Sequence, residues 1–248
     1  MRMHVVQHVP FEGPGAIAQW AAERGYELTS ALALLEEYPP AEQVDFLVVM
    51  GGPMDADDEV TSPWLTAEKH FVAAVIAAGR PVLGVCLGAQ ILAEVLGGVV
   101  RRMEYPEIGW YPVLQTPEGA EDALFSAWNE PSIVGQWHGD TFELPLGMEP
   151  TLSSQACRNQ AFVFDGRVVG LQFHIEWTEK ALAELVAQCA DDLAVDSPFV
   201  MTAEQIAEGA HLGLPAGREK LFALLDDMAS IGSGEPGGGP EGFLPHIG

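Results

Sequence analysis

The chain has 248 residues, 48% of them apolar, with 36 acidic against 11 basic residues and a net charge of −25. That length and apolar content can bury the core of one large α/β domain with an appendage. The acidity argues against gripping nucleic acid through its phosphates, which takes clustered Lys and Arg.

No uninterrupted apolar run reaches the ~18 residues that span a membrane. The opening MRMHVVQHVPFEG lacks the apolar core and cleavage site of a signal peptide, so a cytoplasmic location with no membrane partner is expected. Cys86, Cys157 and Cys189 are too scattered for a CxxC metal pair or a disulfide framework, which agrees with a reducing compartment. Neither a metal nor a cofactor is expected.

Residues 2–7 read as a first strand, followed by a loop over 8–15 and a helix over 16–24 that Gly25 closes. Residues 27–32 read as a second strand. Residues 44–50, VDFLVVM, are apolar almost throughout, as a central parallel strand is, and end in Gly51-Gly52-Pro53. A helix over 64–78 stops at Gly79, a strand covers 81–85, and a helix over 89–96 meets Gly97-Gly98 as its C-cap. The alternation predicts an α/β fold: a mostly parallel open sheet with helices on both faces.

Residues 101–134 are rich in Pro, Gly and aromatics and suggest short strands and hairpins, with strands at 110–114 and 132–136 forming a small antiparallel extension. Further strands fall at 151–156, 161–164 and 168–173, the last two joined by an Asp165-Gly166 turn. A helix covers 178–192. Residues 202–230 suggest two more, broken at Gly213-Leu214-Pro215, and 231–248 form a Gly/Pro-rich tail. The expected organisation is one domain over 1–192, a helical extension over 193–230, and the tail.

The turn Gly84-Val85-Cys86-Leu87-Gly88 joins a buried strand to a helix and carries one nucleophilic residue between small ones, as a nucleophile elbow does. Glycines fit because so tight a turn leaves no room for Cβ atoms beside the reactive atom. The following helix points its positive end at the sulfur. A buried, inert thiol is the ordinary alternative for a lone cysteine. A general base decides between them, and in parallel sheets chemistry gathers at the strands' C-terminal ends. His174 follows such a strand, and Glu176 two residues on shares its face in extended geometry, as a carboxylate that orients an imidazole does.

With the segments Gly84-Val85-Cys86-Leu87-Gly88-Ala89-Gln90, Gln172-Phe173-His174-Ile175-Glu176 and Gly51-Gly52-Pro53 in this order, residues 1–192 resemble a class I glutamine amidotransferase domain, a flavodoxin-like fold. Ile175 stands where many members have proline. The resemblance implies that Cys86 attacks the glutamine side-chain amide, His174 moves the proton and Glu176 orients His174. It also implies an oxyanion hole at the backbone N–H groups of Gly52 and Leu87, and substrate contacts at Gln90 and, in the Trp137-His138-Gly139-Asp140 segment, at His138. A metal on His138 and Asp140 lacks a third ligand at suitable spacing. Glu12 and Glu107 are candidates for meeting an ammonium group or a second substrate.

Residues 193–248 are too few for a synthetase, and the loop glycines and the Glu107-Ile108-Gly109-Trp110 segment resemble the stand-alone, GMP-synthase-like members of the family. The implied partner is glutamine, with ammonia passing to a separately encoded synthetase. The alternative is a γ-glutamyl hydrolase acting on a peptide or conjugate. A non-catalytic sensing module is the third reading, against which the complete Cys-His-Glu set speaks.

Overall fold

The computed structural model describes residues 1–35, 37–232 and 245. Among the described residues, nine strands make one sheet: β1 (Arg2–Gln7), β2 (Glu27–Leu32), β3 (Phe46–Val49), β4 (Val82–Val85), β5 (Val99–Gln115), β6 (Ser132–Glu143), β7 (Leu152–Ser153), β8 (Ala161–Phe164) and β9 (Val168–Leu171). Their spatial order is β2-β1-β3-β4-β9-β8-β7-β5-β6. The first five in that order run parallel. From β9 outward through β8, β7, β5 and β6 every pairing is antiparallel. The expected α/β architecture is therefore present, with an antiparallel wing attached at β9.

The α-helices of the described residues are α1 (Gly15–Glu23), α2 (Trp64–Ala77), α3 (Leu87–Val95), α4 (Pro117–Glu121), α5 (Glu179–Gln188) and α6 (Ala203–Gly232). The two-residue period of the strands distributes the core between two faces. Val5, Phe46, Val48, Leu83, Val85, Val169 and Leu171 pack with Ile17 and Trp20 of α1 and Leu221, Leu224, Leu225 and Met228 of α6. Their neighbours Val6, Leu47, Val49, Val82 and Val168 pack on the opposite face with Leu65, Val72 and Ile76 of α2 and Ile91, Leu92 and Val95 of α3. Every central strand is thus covered on both sides, which explains its unbroken apolar run.

Several expectations need correction. The region 101–134 does not hold short strands only. β5 and β6 are long and pair from Val99↔Glu143 to Val113↔Ser132, with the register shifting between Arg102 and Glu107. Pro106 lies in that shift and has no N–H to give the ladder, so the pairing becomes irregular there and then resumes. Only the remainder turns helical, as α4 and a 3₁₀ segment over Ala123–Trp128. Between β8 and β5, β7 is only two residues long where a strand over 151–156 is expected, and the helix expected over 178–192 ends at Gln188 and gives way to a 3₁₀ turn at Ala190–Ala194.

The segment 202–230, expected as two helices, lies in one helix, α6, with Pro215 inside it. An interior proline costs about 3 kcal/mol. Burial of Leu221, Leu224, Leu225 and Met228, at roughly 1.5–3 kcal/mol each, outweighs that loss. Nor are the glycines breaks. A Cβ on Gly209 or Gly213 would run into the Trp110 ring, and one on Gly217 would stand 3.3 Å from Ile175 Cα. Spaced four apart, they form a flat stripe on which the wing lies. Most of the expected tail at 231–248 falls outside the described residues.

Candidate active site

The elbow forms where β4 enters α3. Cys86 has φ 53° and ψ −108°, an unusual conformation for a residue with a side chain. The turn can close because its glycines are bare. A Cβ on Gly84 would lie 2.6 Å from the Gly88 backbone, and one on Gly88 would collide with the Val49 carbonyl of β3. The Cys86 N–H donates to the Leu171 carbonyl at 2.7 Å and the Gly88 N–H to the Met50 carbonyl at 3.1 Å, so the turn is tied to both neighbouring strand ends.

β9 stops at Leu171, two residues before the expected end, and the chain continues across the strand tips. The His174 N–H donates to the Gly135 carbonyl at 2.7 Å, and the Gly135 N–H donates back at 3.1 Å, which anchors His174 to β6. From that anchor His174 faces Cys86 across Gly51. The position of a Gly51 Cβ would be 3.4 Å from His174 Cε1 and 3.6 Å from Cys86 Cβ. His174 Nδ1 lies 2.7 Å from Glu176 Oε1. The other carboxylate oxygen of Glu176 accepts the Ile175 N–H at 3.0 Å. A proline at 175 has no N–H, so the departure from the usual residue adds a hydrogen bond that holds the carboxylate.

All three groups are buried. Burial by itself lowers the pKa of the His174 imidazole. The Glu176 charge, hydrogen bonds with Cys86 and Glu176, and the Cys86 charge outweigh it and hold the imidazole well above its usual range. The backbone of Glu176 is fixed as well, since its carbonyl accepts the Ala16 N–H at 2.8 Å. Gly15 lets α1 approach that closely, with φ +47° and no Cβ to strike the same carbonyl.

A cleft of about 430 Å³ opens beside the sulfur and is lined by Gly52, Cys86, Gln90, His138 and His174, among others. Gly52 and Leu87, the expected oxyanion-hole residues, stand on either side of the elbow, 3.0 Å separating a Gly52 Cβ position from Leu87 Cδ2. Gln90 is buried and donates to Gln172 Oε1 at 3.2 Å, and Gln172 Nε2 lies 3.7 Å from Cys86 Sγ. His138 borders the cleft with one ring nitrogen bonded. Its Nδ1 meets the Asp140 carbonyl at 2.8 Å and its Nε2 lies 3.4 Å from Glu107.

The two candidate glutamates part company. Glu107 is buried beneath the wing, accepting from Gln160 at 2.7 Å and Ser154 at 3.0 Å. Glu12 reaches the cleft, its Oε2 2.5 Å from the Gly51 Cβ position. Burial raises its pKa, His174 and His8 lower it, and Glu176 adds to the rise, leaving it above the usual carboxylate range. Among the described residues no group of three or more His, Cys, Asp or Glu side chains could hold a metal ion.

Several site features escaped sequence reasoning. Trp177 stacks on His174 with centroids 4.4 Å apart and planes at 14°. Cys189, Asp192 and Val195, just beyond α5, form part of the cleft wall. His8 and Glu68 form a buried pair behind Gly51. Gln172 was visible inside its motif, but nothing in the motif indicates that it faces the sulfur.

The family model for glutamine amidotransferase class I matches residues 16–191. The glutamine amidotransferase-like protein YfeJ of Salmonella typhimurium is 34% identical over 92% of this chain and 97% of its own. The glutamine-hydrolysing GMP synthase subunit of Saccharolobus solfataricus is 30% identical over 62% of this chain and 82% of its own. A glutamine amidotransferase of Thermotoga maritima superposes with a TM-score of 0.83 at 30% identity, covering 92% of this chain and 98% of that one. The match runs from the start of α1 through the elbow and the His174 segment to the end of α5, so the chain belongs to the class I glutamine amidotransferase family.

Proposed function

We propose that the chain hydrolyses the side-chain amide of glutamine through a γ-glutamyl thioester on Cys86 and releases ammonia to a separately encoded acceptor. The observation that carries this reading is that Cys86 and His174 meet across Gly51 while His174 Nδ1 is held by Glu176 at 2.7 Å. Cys86 Sγ gives its proton to His174 and attacks the amide carbon. The resulting oxyanion accepts hydrogen bonds from the Gly52 and Leu87 N–H groups, each worth about 2.7–4 kcal/mol in comparable sites. Collapse breaks the C–N bond, and His174 protonates the departing nitrogen. Water then loses a proton to His174, attacks the thioester and frees glutamate.

Glu176 keeps the Nδ1 proton on its own side, which leaves Nε2 for the sulfur and the leaving group. Gln90, held from behind by Gln172, forms part of the wall against which the substrate lies. An ammonia acceptor in a second chain is in keeping with a relative that is itself named as one subunit of a GMP synthase.

The size of the cleft favours a second reading, because about 430 Å³ leaves room beyond Cys86 for a leaving group larger than ammonia. On that reading the chain cleaves a γ-glutamyl peptide or conjugate through the same thioester. Purified protein incubated separately with glutamine and γ-glutamyl dipeptides discriminates the two by relative rate. Intact mass spectrometry during turnover should reveal a γ-glutamyl adduct that Cys86→Ala abolishes. Activity surviving in Cys86→Ala sinks both readings.

A further inference from the structure

His8, at the tip of β1, is buried and lies outside the cleft lining. Its Nδ1 is 3.0 Å from the Gly51 carbonyl oxygen. Its Nε2 is 3.0 and 3.2 Å from the two carboxylate oxygens of Glu68 on α2. A carbonyl can only accept, so Nδ1 carries a proton. The Glu68 side fixes the same tautomer, whether the second proton rides on Nε2 or on the carboxylate.

The Gly51–Gly52 peptide is trans, so its C=O and N–H point in opposite directions. With the carbonyl held toward His8, the Gly52 N–H turns away from the buried pair, to the side where Gly52 borders the cleft. Between two glycines this peptide has little steric resistance to rotation. Rotated by half a turn, it would present a carbonyl oxygen, and a developing oxyanion would meet repulsion instead of a donor. The packing is tight enough to hold one state: a Cβ on Gly52 would come within 2.8 Å of His8 Cβ, and Trp64 covers the imidazole at 5.6 Å between centroids.

We infer that His8 and Glu68 are positioning residues that lock the Gly51–Gly52 peptide with its N–H toward the reacting carbonyl, acting through that peptide without touching substrate. The inference rests on the thioester reading above for its catalytic consequence. Burial lowers the His8 pKa, but the Glu68 charge and hydrogen bond, the Gly51 carbonyl and Glu12 outweigh it, which suits an imidazole kept as a donor.

Four variants test it. Asparagine places an amide N–H near the position of Nδ1, so His8→Asn keeps the donor while His8→Leu removes it. Gln can donate to Nε2 and preserve the Nδ1–H tautomer, so Glu68→Gln keeps the clamp. Glu68→Leu frees Nε2 to take the proton and turns the Nδ1 lone pair against the carbonyl. The expected result is a fall in kcat of about 10²–10³-fold for the two leucine variants, the size of one lost oxyanion donor. Their KM should stay within about threefold, and the Asn and Gln variants within about tenfold of the parent kcat. Leucine variants that fold and keep the parent kcat, or that lose only KM, overturn the inference.

Crystal structures of His8→Leu and Glu68→Leu give a readout independent of turnover. A Gly51 carbonyl still directed at residue 8 overturns the clamp, whereas one turned into the cleft supports it. Absence of turnover in the parent protein defeats the thioester reading instead, and the carbonyl direction in these structures still decides the clamp. If His8→Leu fails to fold, the Glu68 pair carries the same comparison.

Discussion

The imidazole of His174 lies flat on the indole of Trp177, centroids 4.4 Å apart and planes inclined by 14°. Trp177 meets the edge of Trp110 at 6.0 Å and 87°, and Trp110 sits on the glycine stripe of α6. A column of rings therefore runs from the far helix to the proposed base. Stacked or edge-on aromatic pairs contribute about 0.5–1.5 kcal/mol each beyond area burial. Trp177→Leu removes the surface on which His174 rests, and Gly213→Ala drives a methyl into Trp110 from the other end. Both should lower kcat by about 10- to 100-fold, since small misplacements of a catalytic group are costly. KM should change little. Steady-state kinetics beside a melting curve will separate a displaced imidazole from a collapsed fold.

Glu176 has two bonds to satisfy, one oxygen accepting from His174 Nδ1 and the other from the Ile175 N–H. Glu176→Gln matches it in shape but must turn its NH₂ toward one of those donors. Either the imidazole tautomer or the backbone support is lost. Turnover should fall by about 10²–10⁴-fold, the range for a misoriented general base. Ile175→Pro, which removes only the backbone donor, should cost less than the glutamine variant. A ranking in which proline is the more damaging of two folded variants would mean that Glu176 owes little to its contact with His174.

Two thiols share the cleft, and only one is proposed to react. Burial, then Asp192 and Glu12, push the Cys189 thiol up to about 11. Burial likewise raises Cys157 to about 11 despite hydrogen bonds to Thr141 and Asn159, with Glu107 adding to the rise. At about pH 8 each is only ~0.1% thiolate, the nucleophilic form. Iodoacetamide at that pH should therefore mark Cys86, which has His174 to take its proton, and leave the other two until the pH approaches 11. Peptide mapping by mass spectrometry reads the order directly. Equal labelling of Cys86 and Cys189 would contradict the assigned nucleophile.

The features legible in the sequence are those whose cause is local. Gly84 announces the elbow because its Cβ would strike the Gly88 backbone four residues on. The apolar runs at β3, β4 and β9 announce a doubly covered sheet because each strand is buried on both faces. His174 and Glu176 were legible as a pair because they stand two residues apart in one short segment, and their side chains meet at 2.7 Å. Partners joined only by tertiary packing were not. His8 and Glu68 are 60 residues apart and each alone looks like an ordinary surface or core residue. Gly213 read as part of a helix break because its reason for being small, the Trp110 ring, lies on β5. Pro215 misled in the same way: local propensity argued for a break, and the buried leucines beyond it decided otherwise.

The attachment of α6 to α1 offers a prediction about pH. Asp226 of α6 accepts from Arg24 Nη2 at 2.6 Å and from the buried Trp20 indole N–H at 2.9 Å. The Arg24 hydrogen bonds hold its carboxyl below the ordinary value of 3.8; burial opposes them, and Trp20 and the Arg24 charge assist. A carboxyl depressed in the folded state binds its proton more readily once the chain unfolds. Its contribution is therefore complete above about pH 4 and disappears as the pH falls through the folded value. Asp226→Asn should melt at a lower temperature at neutral pH, and the gap to the parent should close as acid protonates the parent's carboxyl. Because the pair is partly exposed and solvent screens it, the neutral-pH difference should be no more than about 1–3 °C. Melting curves from pH 7 down to about pH 3 test the sign. A gap that widens with acid would show that Asp226 is stabilised by something other than its charge on Arg24.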